Sequence, residues 1–224
     1  IADALTGFYA AYGILGALYE REKQKTTKGR RVEVSMFEAM AHFNLDAFTH
    51  LFSEGEVMGP YSRPSVSQSY VLPCADGKWI ALHMSSPPKF WQGLAQAIER
   101  PTLFDDPRFA SREARIEHQG ELIELLTSLF VQRERAEWCR RLEALDVPYA
   151  PMYATDEVPD DAQARHLQLF VDAAHPQGGR WRTVRSPVSF DGERALEVTA
   201  PPLLGDHDAV LRSGASPWTP RAAE

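Results

Sequence analysis

The stretch "ADALTGFYAAYGILGALYEREK" constrains the fold more than any other part of this chain. From Ala4 to about Lys25 it is made of helix formers, and Leu5, Phe8, Tyr9, Tyr12, Ile14, Leu15 and Leu18 wrap most of the helix circumference. A helix that is apolar on nearly every side belongs inside a large fold. Gly7, Gly13 and Gly16 weaken an isolated helix, so their expected use is to let another segment approach closely. Charge is confined to the end, in "YEREKQKTTKGRR", where Lys and Arg suit the negative end of the helix dipole and Lys28 and Gly29 begin a turn.

The following segments alternate between helix and strand patterns. Val32, Val34 and Met36 alternate with polar residues and predict a short strand, after which Phe37, Met40, Ala41 and Phe43 take helical spacing. "SEGEVMGPYSRPSVSQ" is rich in Gly, Pro and Ser and reads as a loop or linker. "SYVLPCADGKWIALHM" is a hairpin by its Ala-Asp-Gly turn. An amphipathic helix is predicted from Pro87 to Ile98, and two more over Glu113–Val131 and Glu134–Leu145. "VPYAPMY" is a short strand, and Thr155 to Leu169 is expected to be largely helical. A second hairpin turns at Gln177, Gly178 and Gly179, and a Pro-punctuated tail carries a last short helix. This is an α/β pattern.

Charge and composition narrow the function classes. With 24 basic and 31 acidic residues the net charge is −7, and the basic residues form no stripe suited to nucleic acid. No apolar run reaches the roughly 20 residues that span a bilayer, so a soluble protein without a membrane partner is expected. Cys74 and Cys139 lie far apart in unrelated contexts, as expected for reduced thiols in a cytoplasmic protein. No secretory leader is legible. No His or Cys pair has metal-ligand spacing, so no metal is expected. Ser35, Ser85 and Ser86 lack a G-x-S-x-G frame, and the glycines form neither a dinucleotide fingerprint nor a phosphate loop.

Asp3 has two readings on its residues alone. It suits the N-cap of the first helix, accepting from the Leu5 or Thr6 amide. Equally, a carboxylate at the positive end of a helix dipole is held ionised and fit to act as a nucleophile. Met36 on its residues alone reads as a core residue following a strand. His83 can line a pocket, and His207 can cap the last helix. Trp79, Phe90 and Trp91 can line a hydrophobic pocket or simply fill the core.

The long pattern decides between such alternatives. "ADALTGFYAAYGILGALYEREK", "KGRRVEVSMFEAM", "YVLPCADGKWIAL", "FDDPRFASREAR", "VPYAPMY" and "PPLLGDH", in that order, closely resemble the family III CoA-transferases, the carnitine and formyl-CoA transferase (CaiB/BaiF) group. The resemblance runs nearly end to end. It implies that Asp3 in "ADALTG" is the catalytic nucleophile and that Met36 lies against bound CoA. It implies an α/β fold with part of a Rossmann-like large domain, a small α+β domain and an interlocked homodimer. Residues 1–50 would belong to the large CoA-binding domain, 51–199 to the linker and small domain, and 200–224 to the return to the large domain. Members are considerably longer, so the chain corresponds to their later half and is expected to bind CoA weakly alone. Acyl-CoA and a carboxylic acid would be the substrates, with no tightly bound cofactor.

Three features depart from the family pattern. The turn "EKQKTTKGRR" is longer than usual, Asp206 stands before His207 where Glu is common, and "MGPYSRPSVSQ" replaces the glycine run of formyl-CoA transferases. The α-methylacyl-CoA racemases share the fold but carry an acid after the first small-domain hairpin. Here that loop is "HMSSPPKFW", with Pro87 at the corresponding place. Transfer is therefore the expected chemistry, with racemisation and a non-catalytic scaffold or partial subunit as alternatives.

Overall fold

A computed structural model describes residues 1–84, 88–195 and 198–214. The chain forms two compact units, 1–150 and 151–224. Among the described residues no helix is long and apolar enough to cross a membrane.

The first unit opens with α1 (Ala2–Lys23), followed by α2 (Met36–Phe43) and α3 (Leu45–Glu54). α2 starts at a Ser-x-x-Glu capping box: Ser35 stands at the N-cap in extended conformation, its hydroxyl accepts from the Glu38 amide at 3.2 Å, and Glu38 reaches back to that hydroxyl. Asn44 separates α2 from α3, and Gly55 ends α3 in the left-handed conformation at φ 70°. Two expectations are corrected here. The strand expected over Val32, Val34 and Met36 does not form, because a strand exists only through hydrogen bonds to a neighbour, no described strand flanks the segment, and Met36 already begins α2. α1 contains no buried residue, although its apolar circumference predicts a buried helix.

The core lies further along. After α4 (Ser62–Ser67), β1 (Ser69–Pro73) and β2 (Trp79–His83) form an antiparallel hairpin with Tyr70 facing Leu82 and Leu72 facing Ile80. Gly77, at φ 72°, makes the left-handed turn between them. β3 (Tyr149–Met152) completes a sheet in the order β1-β2-β3. Alternation puts Tyr70, Leu72, Ile80 and Leu82 on one face, where α5 (Pro88–Ala97), α7 (Gln119–Phe130) and α8 (Arg135–Ala144) supply Trp91, Leu94, Leu122, Leu126, Phe130, Trp138 and Leu142. Trp138 stacks on Phe130 with ring centroids 4.2 Å apart, and its indole N–H donates to the Phe130 carbonyl at 2.8 Å. The bulk is thus buried and its one polar atom satisfied. α6 (Arg112–Glu117) and α7 are separate helices where the periodicity predicts one, because His118 leaves the helical conformation and pairs with Glu121 at 2.8 Å.

The second unit is smaller. α9 (Ala162–His166) is capped by Asp161, whose carboxylate accepts from the Gln163 and Ala164 amides. Asp161 itself is extended, which limits the helix expected over 155–169 to α9 and a single 3-10 turn at Val158–Asp160. β4 (Phe170–Ala174) and β5 (Arg180–Val184) pair antiparallel around Gly178 and Gly179, as the sequence predicts. Buried Arg185 donates to the carbonyls of Gln168, Arg194 and Ala195, fixing the segment after the hairpin. α10 (Asp208–Arg212) closes the described chain, with His207 at its N-cap position but no side-chain cap bond.

Candidate active site

Asp3 lies inside the first turn of α1, one residue past its start. Ile1 occupies the N-cap position and no side chain caps the helix, so the N-cap role for Asp3 is corrected. Thr6 turns its hydroxyl back to the Ala2 carbonyl at 2.8 Å. Asp3 is exposed in the first turn of α1.

The segment 32–42 packs on α1. Tyr9 and His42 meet edge to face with centroids 5.5 Å apart, and the Tyr9 hydroxyl lies 2.6 Å from His42 Nδ1. One turn further, Gly13 allows the approach expected of it. A Cβ there would stand 2.8 Å from Val32 Cγ1, whereas Gly7 and Gly16 face nothing within 4 Å. The opposite face leaves Phe8, Tyr12, Leu15 and Tyr19 between 66% and 78% exposed. Their spacing of four, three and four makes one continuous apolar stripe.

Met36 is the first residue of α2, and 48% of it is exposed. That leaves a flexible thioether open to contact in this chain. The Ser35–Glu38 cap fixes where α2 begins and so where this side chain emerges. The cap, and the Tyr9–His42 pair, were missed in reading the sequence. "SMFE" carried the signal for the first, but nothing in one sequence marks the second.

A second concentration of polar groups lies at the end of the β1–β2 hairpin. Ser67, Ser69 and His83 form a chain of hydrogen bonds, 2.8 Å between the hydroxyls and 3.0 Å from Ser69 to His83 Nδ1. His83 and Ser69 line a cavity of about 280 Å³ whose other walls include Val71, Ala81, Pro148 and Tyr149. Of the three aromatics, Trp91 is core, Phe90 packs against it and Trp79 is half-exposed. Ser85, Ser86 and Pro87 lie outside the described residues.

The cysteines offer no nucleophile. Burial, reinforced by Asp76, pushes the Cys74 thiol up to about 11, and burial raises Cys139 as well.

Comparison with known proteins gives this geometry its context. The model of CoA-transferase family III matches residues 1–208. A formyl-CoA:oxalate CoA-transferase of Streptomyces avermitilis is 30% identical over 96% of this chain and 56% of its own length. An (R)-2-hydroxy-4-methylpentanoate CoA-transferase of Clostridioides difficile is 28% identical over 94% of the chain and 53% of its own. The fold resembles the crystal structure of a CAIB/BAIF family protein from Brucella suis, with a TM-score of 0.77 at 24% identity, over 95% of this chain and 55% of that one. The chain spans about half the length of the curated relatives it matches.

Proposed function

The chain belongs to CoA-transferase family III, and from that premise we propose that it carries the nucleophile of an enzyme moving CoA from an acyl-CoA thioester to a carboxylic acid. The carrying observation is Asp3, an exposed carboxylate in the first turn of a long helix at the place where the family pattern puts its nucleophile.

In the proposed reaction an Asp3 oxygen attacks the thioester carbonyl. The C–S bond breaks, and CoA leaves as thiolate from an aspartyl-acyl anhydride. The thiolate then attacks the Asp3 carbonyl, releasing the donor acid and forming an aspartyl-CoA thioester. An acceptor carboxylate attacks that thioester, and the same two steps run in reverse, returning Asp3 as a free carboxylate and CoA on the acceptor. Each bond broken is replaced by one of similar energy, so positioning and exclusion of water are the protein's main tasks. Met36, at the exposed start of α2, would lie against the CoA arm.

The same reading assigns residues 1–50 to a Rossmann-like CoA-binding domain, 51–199 to the linker and small domain, and 200–224 to the return. It assigns a cytoplasmic, interlocked homodimer as the working form. The two curated relatives named above are a formyl-CoA:oxalate and an (R)-2-hydroxy-4-methylpentanoate CoA-transferase. What their names have in common supports a carboxylate acceptor and does not single one out. Replacement of Asp3 by Ala should abolish transfer between an acyl-CoA and an added carboxylate; full transfer in that variant would overturn the reading. Exchange of an α-proton in heavy water without acceptor would favour racemisation instead.

A further inference from the structure

The hydrogen-bond chain through Ser67, Ser69 and His83 has a direction. Ser67, the last residue of α4, donates its hydroxyl to the Arg63 carbonyl at 3.0 Å, with the Pro64 carbonyl at 3.4 Å, and that uses its one hydrogen. The 2.8 Å bond between the two hydroxyls is therefore donated by Ser69, whose oxygen in turn accepts from His83 Nδ1 at 3.0 Å. The opposite direction would set the lone pairs of Ser67 Oγ against the Arg63 carbonyl oxygen. A neutral His83 thus carries its proton on Nδ1, and Nε2 is an acceptor. We propose that His83 turns this acceptor to the cavity of about 280 Å³ that it lines with Ser69, and that the cavity binds a small molecule with an apolar body and one hydroxyl group.

The surroundings fit that ligand. Ser69 and His83 stand directly opposite each other on β1 and β2, and Val71 and Ala81 are the next pair on the same face. The short Ala81 side chain leaves a depression that Val71, Pro148 and Tyr149 wall with mostly apolar surface. Both ends of the chain are clamped. The Met84 amide donates to the Gln68 carbonyl at 3.1 Å, and the His83 amide donates to the Pro148 carbonyl at 3.3 Å. Buried Arg115 holds the side chain of Gln68, the residue between the two serines, at 2.7 Å. The backbone that carries the chain is thereby tied to the core, which is what a preorganised site requires. An imidazole that met only water would need no partner behind Nδ1; here two hydroxyls in series set which nitrogen accepts. The site takes no part in the transfer proposed for Asp3.

The competing arrangement is a chain that runs the other way, with Nε2 protonated and no ligand bound. Long-range ¹H–¹⁵N NMR of the full chain labelled at histidine, in mildly alkaline buffer, reads the tautomer directly, and His83→Ala identifies the signals. A neutral His83 with Nδ1 protonated is expected, together with a saturable shift of its Nε2 resonance on titration with phenol as the probe. Ser67 stands behind Ser69 rather than in the cavity wall, so it is a positioning residue. Ser67→Ala should move the ring toward the Nε2–H tautomer and weaken phenol binding about three- to tenfold, the loss of one hydrogen bond. Nε2 protonated in the unchanged protein, no saturable shift with phenol, or a Ser67→Ala variant with tautomer and affinity unaltered would overturn the proposal.

Discussion

Arg115 offers the sharpest test of how the segment before β1 is held. It is 7% exposed, yet among the described residues its hydrogen bonds go to no carboxylate. Its Nε donates to Gln68 Oε1 at 2.7 Å, its Nη1 donates to the Phe109 carbonyl at 2.7 Å, and the guanidinium stacks on Trp91 at 4.9 Å. Burial pulls its pKa below the usual arginine range. Gln68, 2% exposed and left-handed at φ 49°, ends α4 and leads into β1. Changing Arg115 to Met keeps most of the side-chain volume but strands the Gln68 and Phe109 oxygens without donors. At about 1–3 kcal/mol for each orphaned acceptor, less the relief of a buried charge, a loss of about 2–4 kcal/mol is expected. Urea unfolding of the first unit, followed by fluorescence of the buried Trp91 and Trp138, reads it. Gln68→Met in the Arg115→Met background should recover part of that loss, with a coupling of about 1.5–3 kcal/mol. A single variant costing under about 0.5 kcal/mol, or a pair that adds without coupling, would refute the reasoning.

Other perturbations follow from the same structure. A Cβ on Gly93 in α5 would meet Val147 Cγ2 at 2.8 Å and the Leu145 carbonyl oxygen at 3.0 Å. Gly93→Ala should therefore lower the unfolding midpoint, because overpacking of about 1–3 kcal/mol outweighs a helix gain of about 1; a raised midpoint would contradict this. Burial pushes Cys74 up to about 11 and Tyr70 up to about 12, from ordinary values of 9.0 and 10.0. Both raised groups stabilise the fold fully below those ordinary values, and that stability is lost as pH climbs toward 12. Unfolding free energy measured from pH 8 upward should fall through this window, and Cys74 should resist alkylation at pH 8 until the protein is unfolded.

Much of the fold was legible because its signals are local. "CADGK" places the first hairpin, the two glycines of "PQGGR" place the second, and apolar spacing places α5, α7 and α8. The failures arise where structure depends on a neighbour. Residues 32–36 alternate like a strand but have no described strand to pair with. α1 is helical as expected yet contains no buried residue; α2 packs on it and Arg30 pairs with its Glu20. α4 was hidden by its serines and Pro64, though a proline in a first turn removes an N–H that has no partner there anyway. Asp3 stood out only through the long pattern; its local signal is that of an ordinary helix start. Met36 was marked the same way, at the start of a helix whose cap "SMFE" spelled out.

The claim at the centre of this account is that Asp3 becomes covalently linked to CoA. Protein incubated with an acyl-CoA and treated with hydroxylamine or borohydride, then digested for mass spectrometry, should yield the peptide carrying Asp3 with that residue converted to its hydroxamate or reduced to the alcohol. An unmodified Asp3 in protein that is turning over, or modification at another residue, would contradict it.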